Sequence, residues 1–165
     1  MANKTTKRPS VRQLPEKCAF QLAVENTEDV KDGFREGKQA IKNADSDKVE
    51  AANERKIQGS LDIDSQVKAL YPDSARWDYA LSYDDIVYFF EVHPAETSEV
   101  DKMISKVRWL REWLRTKATE IDKLPKAEHT YVWLPSGRYS ILPTGKYGQK
   151  LALAGIVVSK KLSLK

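Results

Sequence analysis

Residues 76 to 93 read RWDYALSYDDIVYFFEVH, two runs of aromatic and β-branched side chains with Asp84-Asp85 between them. Such runs joined by a short acidic connection predict a hairpin of two antiparallel strands. The second run is apolar on both faces through Phe90, the pattern of a strand in the middle of a sheet, and Pro94 ends it. Upstream, Ile57, Gly59, Leu61 and Ile63 alternate, which predicts a half-buried strand giving way to a helical turn before Pro72. Downstream the period becomes helical. Val100, Met103, Ile104, Val107, Leu110 and Leu114 form one stripe, predicting a helix from about Glu99 to about Lys117. Ser98 with Asp101 reads as its capping box.

The flanking segments carry weaker patterns. Val30, Phe34 and Ile41 sit at helical spacing, with Asn26 or Thr27 as cap, Glu28 and Asp29 at the positive end of the dipole, and Gly33 and Gly37 weakening the helix. Residues 43 to 56 are polar and read as a loop with a short helical piece. HTYVWLPSG predicts another strand, with RYSIL as a segment that can pair with it. KYGQKLALAG predicts a short helix ending at Gly155, and IVVSKKLSLK a last strand. Strands grouped before a long helix, with a strand after it, predict an α/β fold: a mixed sheet flanked by helices, with a small C-terminal αβ extension.

Composition adds bounds. At 165 residues, 41% of them hydrophobic and 32% charged, the chain suits one folded domain over residues 18–165, preceded by an arm over residues 1–17. No apolar run reaches the length of a membrane span and no secretory signal is visible, so no membrane association and a cytoplasmic setting are expected. The single cysteine, Cys18, excludes an internal disulfide framework, and with His93 and His129 it matches no zinc-ligand spacing. Of the net charge of +4, all is accounted for by Lys4, Lys7, Arg8 and Arg12, in a stretch of fifteen residues without an acid. Such an arm can follow a phosphate backbone or serve as a solvated tail.

The chemistry concentrates on the hairpin. Asp78 lies near the start of its first strand and Glu91 near the end of its second, so both stand at the open end, roughly opposite each other. Glu91 and His93, one residue apart, point to the same face. Two carboxylates on neighbouring strands suit a hard divalent cation, which takes oxygen ligands and keeps some of its waters. The plainer alternatives are that His93 caps the strand end and that Glu91 forms an ion pair with Arg76 or Lys106.

Asp78 followed by Glu91-Val92-His93 at the end of a hydrophobic strand, in this order of elements, resembles the PD-(D/E)XK (restriction endonuclease-like) nuclease superfamily. The resemblance covers roughly residues 20 to 135 and implies an αβββαβ core. It implies Asp78 and Glu91 as ligands of Mg²⁺ or Mn²⁺, and a nucleic-acid substrate, DNA before RNA. His93 stands where the superfamily pattern has lysine. It would orient or activate the attacking water, or ligate the metal, with Lys106 of the following helix as the substitute cation. Glu25 or Glu28 would complete the site. The function expected is metal-dependent endonuclease-type hydrolysis of phosphodiester bonds. The alternative is a catalytically inactive module of the same fold that binds nucleic acid or a partner protein.

Lys102, Lys106, Trp109 and Trp113 form a second stripe on the long helix, which suits either phosphate contact with base stacking or simple packing of the tryptophans. The glycines of PSGRYSILPTGKYGQK lack the spacing of a phosphate loop, and no nucleophile elbow supports a Ser-His-Asp hydrolase.

Overall fold

The structure is a computed structural model that describes residues 16–165; the expected basic arm lies almost wholly outside these residues. Helix α1 (Ala19–Glu25) opens the fold, its first turn capped by the Cys18 sulfur, which accepts from the Gln21 N–H at 3.4 Å. A 3-10 turn (Glu28–Val30) and the two-residue strand β1 (Arg35–Glu36) follow. The single helix expected from Val30, Phe34 and Ile41 does not form. Val30 belongs to one core and Ile41 to another, on the opposite face of the sheet, so no one helix could bury both. Asn26 closes α1 instead of opening a helix, and Gly37 turns the chain at φ +53°.

Next come α2 (Asn43–Ser46), β2 (Val49–Ala51), β3 (Ile57–Asp62) and α3 (Ile63–Val67), with the Asp62 carboxylate capping α3 through the Ser65 N–H at 3.0 Å. The hairpin is β4 (Tyr79–Tyr83) and β5 (Ile86–His93). Asp84 and Asp85 both adopt positive φ, 48° and 65°, the double left-handed pair whose twist matches a two-residue hairpin. Helix α4 (Val100–Thr116) buries all six residues of its stripe and Trp113 besides. The expected capping box is absent: the N-cap is Glu99, without a side-chain cap bond, and Asp101 pairs with Lys150 at 2.5 Å. The chain finishes with α5 (Thr119–Asp122), β6 (Lys126–Pro135), α6 (Lys146–Leu153), β7 (Ile156–Val158) and β8 (Leu162–Leu164). RYSIL does not pair with β6. It crosses the strand ends as a loop, with the Ser140 N–H bonded to the Ala95 carbonyl and Ile141 buried.

The architecture is α/β, a mixed six-stranded sheet flanked by helices, in the order β1-β3-β4-β5-β6-β7. Pairing is antiparallel from β1 to β5 and parallel from β5 to β7. Alternation sends Leu61, Ala80, Phe89 and Trp133 into a core shared with α1, α4, α5 and α6. Leu81, Phe90, Val132 and Leu134 form a second core on the other face, closed by Ile41, Val49 and the parallel pair β2–β8. The C-terminal segment expected as one strand therefore divides between two sheets, β7 in the large one and β8 in the small one. No described helix is long and apolar enough to cross a membrane.

Candidate functional site

The hairpin register pairs Tyr79 with Phe90, so the next step along the ladder sets Asp78 opposite Glu91. Glu91 shares the parity of Phe89, whose ring packs on the helix side, and its carboxylate therefore lies beneath α4. It is only 1% exposed. One oxygen, Oε2, accepts from the Asp78 N–H at 2.8 Å, and the other receives the Lys106 ammonium. Asp78 reciprocates, its Oδ2 accepting from the Val92 N–H at 3.0 Å. Each carboxylate thus ties itself to the backbone of the opposite strand where the ladder ends. Lys106 reaches down from α4 and also donates to the Arg76 carbonyl at 3.1 Å. Asp78 Oδ1 takes no hydrogen bond among the described residues and no buried side-chain polar atom is left unpaired, so this oxygen is not wholly enclosed.

The electrostatics are those of two acids and one base under a helix. Burial, and then the neighbouring Asp78 charge, push the Glu91 carboxyl up to about 8, while Lys106 pulls it back down. Burial also raises Asp78, again opposed by Lys106. One ammonium against two carboxylates leaves the cluster a negative charge in excess when both are ionised.

His93 takes a different partner. Its ring Nε2 lies 2.7 Å from Glu99 Oε2, and its carbonyl accepts from Trp133 Nε1 at 3.0 Å and from the Ser136 N–H at 3.1 Å. It anchors the entry to α4 to the strand end. Glu25 pairs with Lys17 at 2.8 Å and Glu28 with Lys31 at 3.0 Å, so neither is bonded to the carboxylate cluster. The two tryptophans of the Lys-Trp stripe are packed. Trp113 is buried and donates to Asp29 at 3.0 Å, and Trp109 stacks on it at 5.7 Å with Tyr71 edge-on at 5.8 Å. Sequence reasoning missed two partners, Glu99 beside His93 and Asp64 beside Arg76 at 2.7 Å.

Among the described residues no three His, Cys, Asp or Glu side chains converge on one point as a metal cage. The donor set lacks the cysteine and histidine ligands that close a structural zinc site. Two neighbouring carboxylates are the donor type a magnesium-like ion takes. Of their four oxygens Asp78 Oδ1 is the one without a hydrogen bond among the described residues, Glu91 being 1% exposed with both oxygens engaged. Comparison with protein-family models, with curated proteins and with solved structures finds no match to this chain.

Proposed function

We propose that the protein is a metal-dependent hydrolase of phosphodiester bonds in nucleic acid, with a restriction endonuclease-like core made of α1, β3, β4, β5, α4 and β6. The observation that carries this reading is the meeting of Asp78, Glu91 and Lys106: two acids on neighbouring strands and a lysine delivered from the next helix. With the short elements β1, α2, β2, α3 and α5 set aside, α1, β3, β4, β5, α4 and β6 follow one another as αβββαβ, which supports this core. Asp78 and Glu91 would hold the ion, which when bound supplies Lewis-acid stabilisation of charge on the phosphate. Lys106 holds the Glu91 carboxylate in place and gives the site a fixed positive charge. His93, paired with Glu99, positions the strand end beside the acids.

A second reading, a binding module on the same scaffold, is favoured by the closed state of Glu91. Both its oxygens are engaged and it is 1% exposed. On that reading the acid pair is a structural clasp, and the protein binds nucleic acid or a protein without cutting.

The test is cleavage of supercoiled plasmid, linear duplex, single-stranded DNA and RNA with Mg²⁺, Mn²⁺ or EDTA, with Asp78→Asn and Glu91→Gln alongside. Glutamine is preferable to alanine at 91 because it leaves the Lys106 ammonium an oxygen to bond. Metal-dependent cutting that falls at least about a hundredfold in both variants establishes the hydrolase. Equal results for wild type and variants with every metal would leave the binding module.

A further inference from the structure

We propose that the basic hollow beside the end of β6, ringed by Lys48, Arg138 and Lys160 with Tyr139, is a binding site for single-stranded nucleic acid. The three cations take phosphates of the strand and the Tyr139 ring takes a base. As a statement about substrate the inference rests on the hydrolase reading; as a statement about binding it does not.

The hollow has a volume of about 630 Å³ and is lined by Lys48, Pro135, Gly137, Arg138, Tyr139 and Lys160, with no acid among them. None of the three cations is ion-paired among the described residues. They come from three separate stretches of chain, each held by backbone bonds. Lys48 precedes β2, and its carbonyl accepts from the Leu162 N–H at 2.8 Å. Arg138 lies between Ser136, whose N–H donates to the His93 carbonyl at 3.1 Å, and Ser140, whose N–H donates to the Ala95 carbonyl at 3.2 Å. Lys160 follows Ser159, whose N–H donates to the Trp133 carbonyl at 3.0 Å and whose hydroxyl donates to the Lys161 carbonyl at 2.8 Å. The fold thus gathers three like charges around one hollow, and an anion placed there relieves their repulsion. β5, β6 and β7 are parallel, and Pro135 and Lys160 put the hollow off their carboxyl ends, where open α/β sheets bind ligands.

Charge calls for an anion, and the ring narrows the choice. Tyr139 is 39% exposed, and its ring packs against no other aromatic ring among the described residues. A free aromatic face flanked by cations is the combination that holds single strands, with phosphates on the cations and a base stacked on the ring. Phosphate or polyphosphate would satisfy the cations and leave the ring unused. A duplex keeps its bases stacked on one another and offers the ring none. A single strand meets both requirements.

The probes are labelled oligothymidylate and oligouridylate, an abasic strand of equal length, and oligothymidylate paired with its complement. Fluorescence anisotropy on the full chain in EDTA reads binding without cleavage, with polyphosphate and polyglutamate as competitors. At least one of the two base-bearing single strands is expected to bind at least about fivefold more tightly than the abasic strand and the duplex. Tyr139→Ala should erase the advantage over the abasic strand, and Tyr139→Phe should keep it. Arg138→Glu should weaken every single strand, the abasic one included, by at least about tenfold. Both side chains are exposed, so these variants are expected to fold. The proposal is overturned if base-bearing and abasic strands bind alike, if the duplex binds as tightly, or if Tyr139→Ala binds as wild type does. It is overturned equally if polyphosphate or polyglutamate displaces the strand at matched charge, which would leave a general polyanion site. No effect of Arg138→Glu would overturn it too and assign the binding to the first fifteen residues. Single-strand binding of the expected pattern without cleavage in any metal would uphold this site and remove the hydrolase. Metal-dependent cleavage that neither Tyr139→Ala nor Arg138→Glu alters would do the reverse.

Discussion

Glu91 is a carboxylate under a helix whose near neighbours are one ammonium and a second carboxylate, and its behaviour follows from that arithmetic. Removing Lys106 leaves two acids without their cation. Without Lys106 the buried Glu91 keeps its proton to still higher pH. Lys106→Met is therefore expected to cost about 1–3 kcal/mol in urea unfolding at pH 7, the penalty of polar groups left without a partner, while the double change Glu91→Leu with Lys106→Met returns part of it. The titration has an unusual sign for an ion-paired acid. The folded state holds the Glu91 proton up to about 8, against an ordinary value of 4.5. Between those limits the unfolded chain has released a proton that the native state keeps, so this group's contribution to stability falls as pH rises through the interval. Glu91→Gln removes that slope. Its stability relative to wild type should improve by more than about 1.4 kcal/mol, the equivalent of one pKa unit, between pH 5 and pH 8. A constant difference across that range would mean that Lys106 holds Glu91 ionised throughout. Divalent-ion binding, which competes with the same proton, should strengthen in the same direction.

At the scale of elements, the hairpin was legible because its determinants are local: alternating aromatic runs and a two-residue acidic turn. Asp84 sits there at φ +48° with an exposed side chain, so Asp84→Val should cost about 1–2 kcal/mol through backbone strain alone and Asp84→Asn almost nothing. Equal melting temperatures for the two variants would show that the turn relaxes. α4 was legible for the same kind of reason, and the ion pair of Lys106 with Glu91 that the sequence allowed forms because helix periodicity fixes which side chains turn under it. β1 and β2 were not legible, since two- and three-residue strands exist only by pairing with distant partners. Val30, Phe34 and Ile41 imitate a helix by spacing, yet Phe34 fills the gap left by Gly59. A Cβ built at Gly59 would lie 2.1 Å from the Phe34 ring and 3.0 Å from the Arg35 carbonyl. Gly59→Ala should therefore cost about 1–3 kcal/mol by forcing β1 away from β3, with slowed-exchange amides lost at Arg35 and Glu36 first. His93 was placed on the correct face, but its partner Glu99 arises from the path of the chain after Pro94, which no periodicity encodes.

Over the whole molecule, charge is segregated along the chain and then folded back on itself. Of 28 lysines and arginines, four precede residue 16 and six follow residue 128, which leaves 18 against 24 acids between them. The acidic part contains Asp78 and Glu91, and a nucleic acid approaching these residues meets a region that repels it. The register shows where compensation comes from. His93, two residues beyond Glu91, pairs with Pro135, and Pro135 borders a hollow of about 630 Å³ ringed by Lys48, Arg138 and Lys160 with Tyr139. None of these three cations is ion-paired among the described residues, so all are available to phosphates at the same end of the sheet as the acids. Replacing all three with alanine should lower the magnitude of the slope of log K against log salt for single-stranded DNA by about 2, at roughly 0.7 for each phosphate no longer neutralised. A slope insensitive to the triple change would remove the hollow from the path of the substrate and leave the first fifteen residues, with their four cations, as the place to look for it.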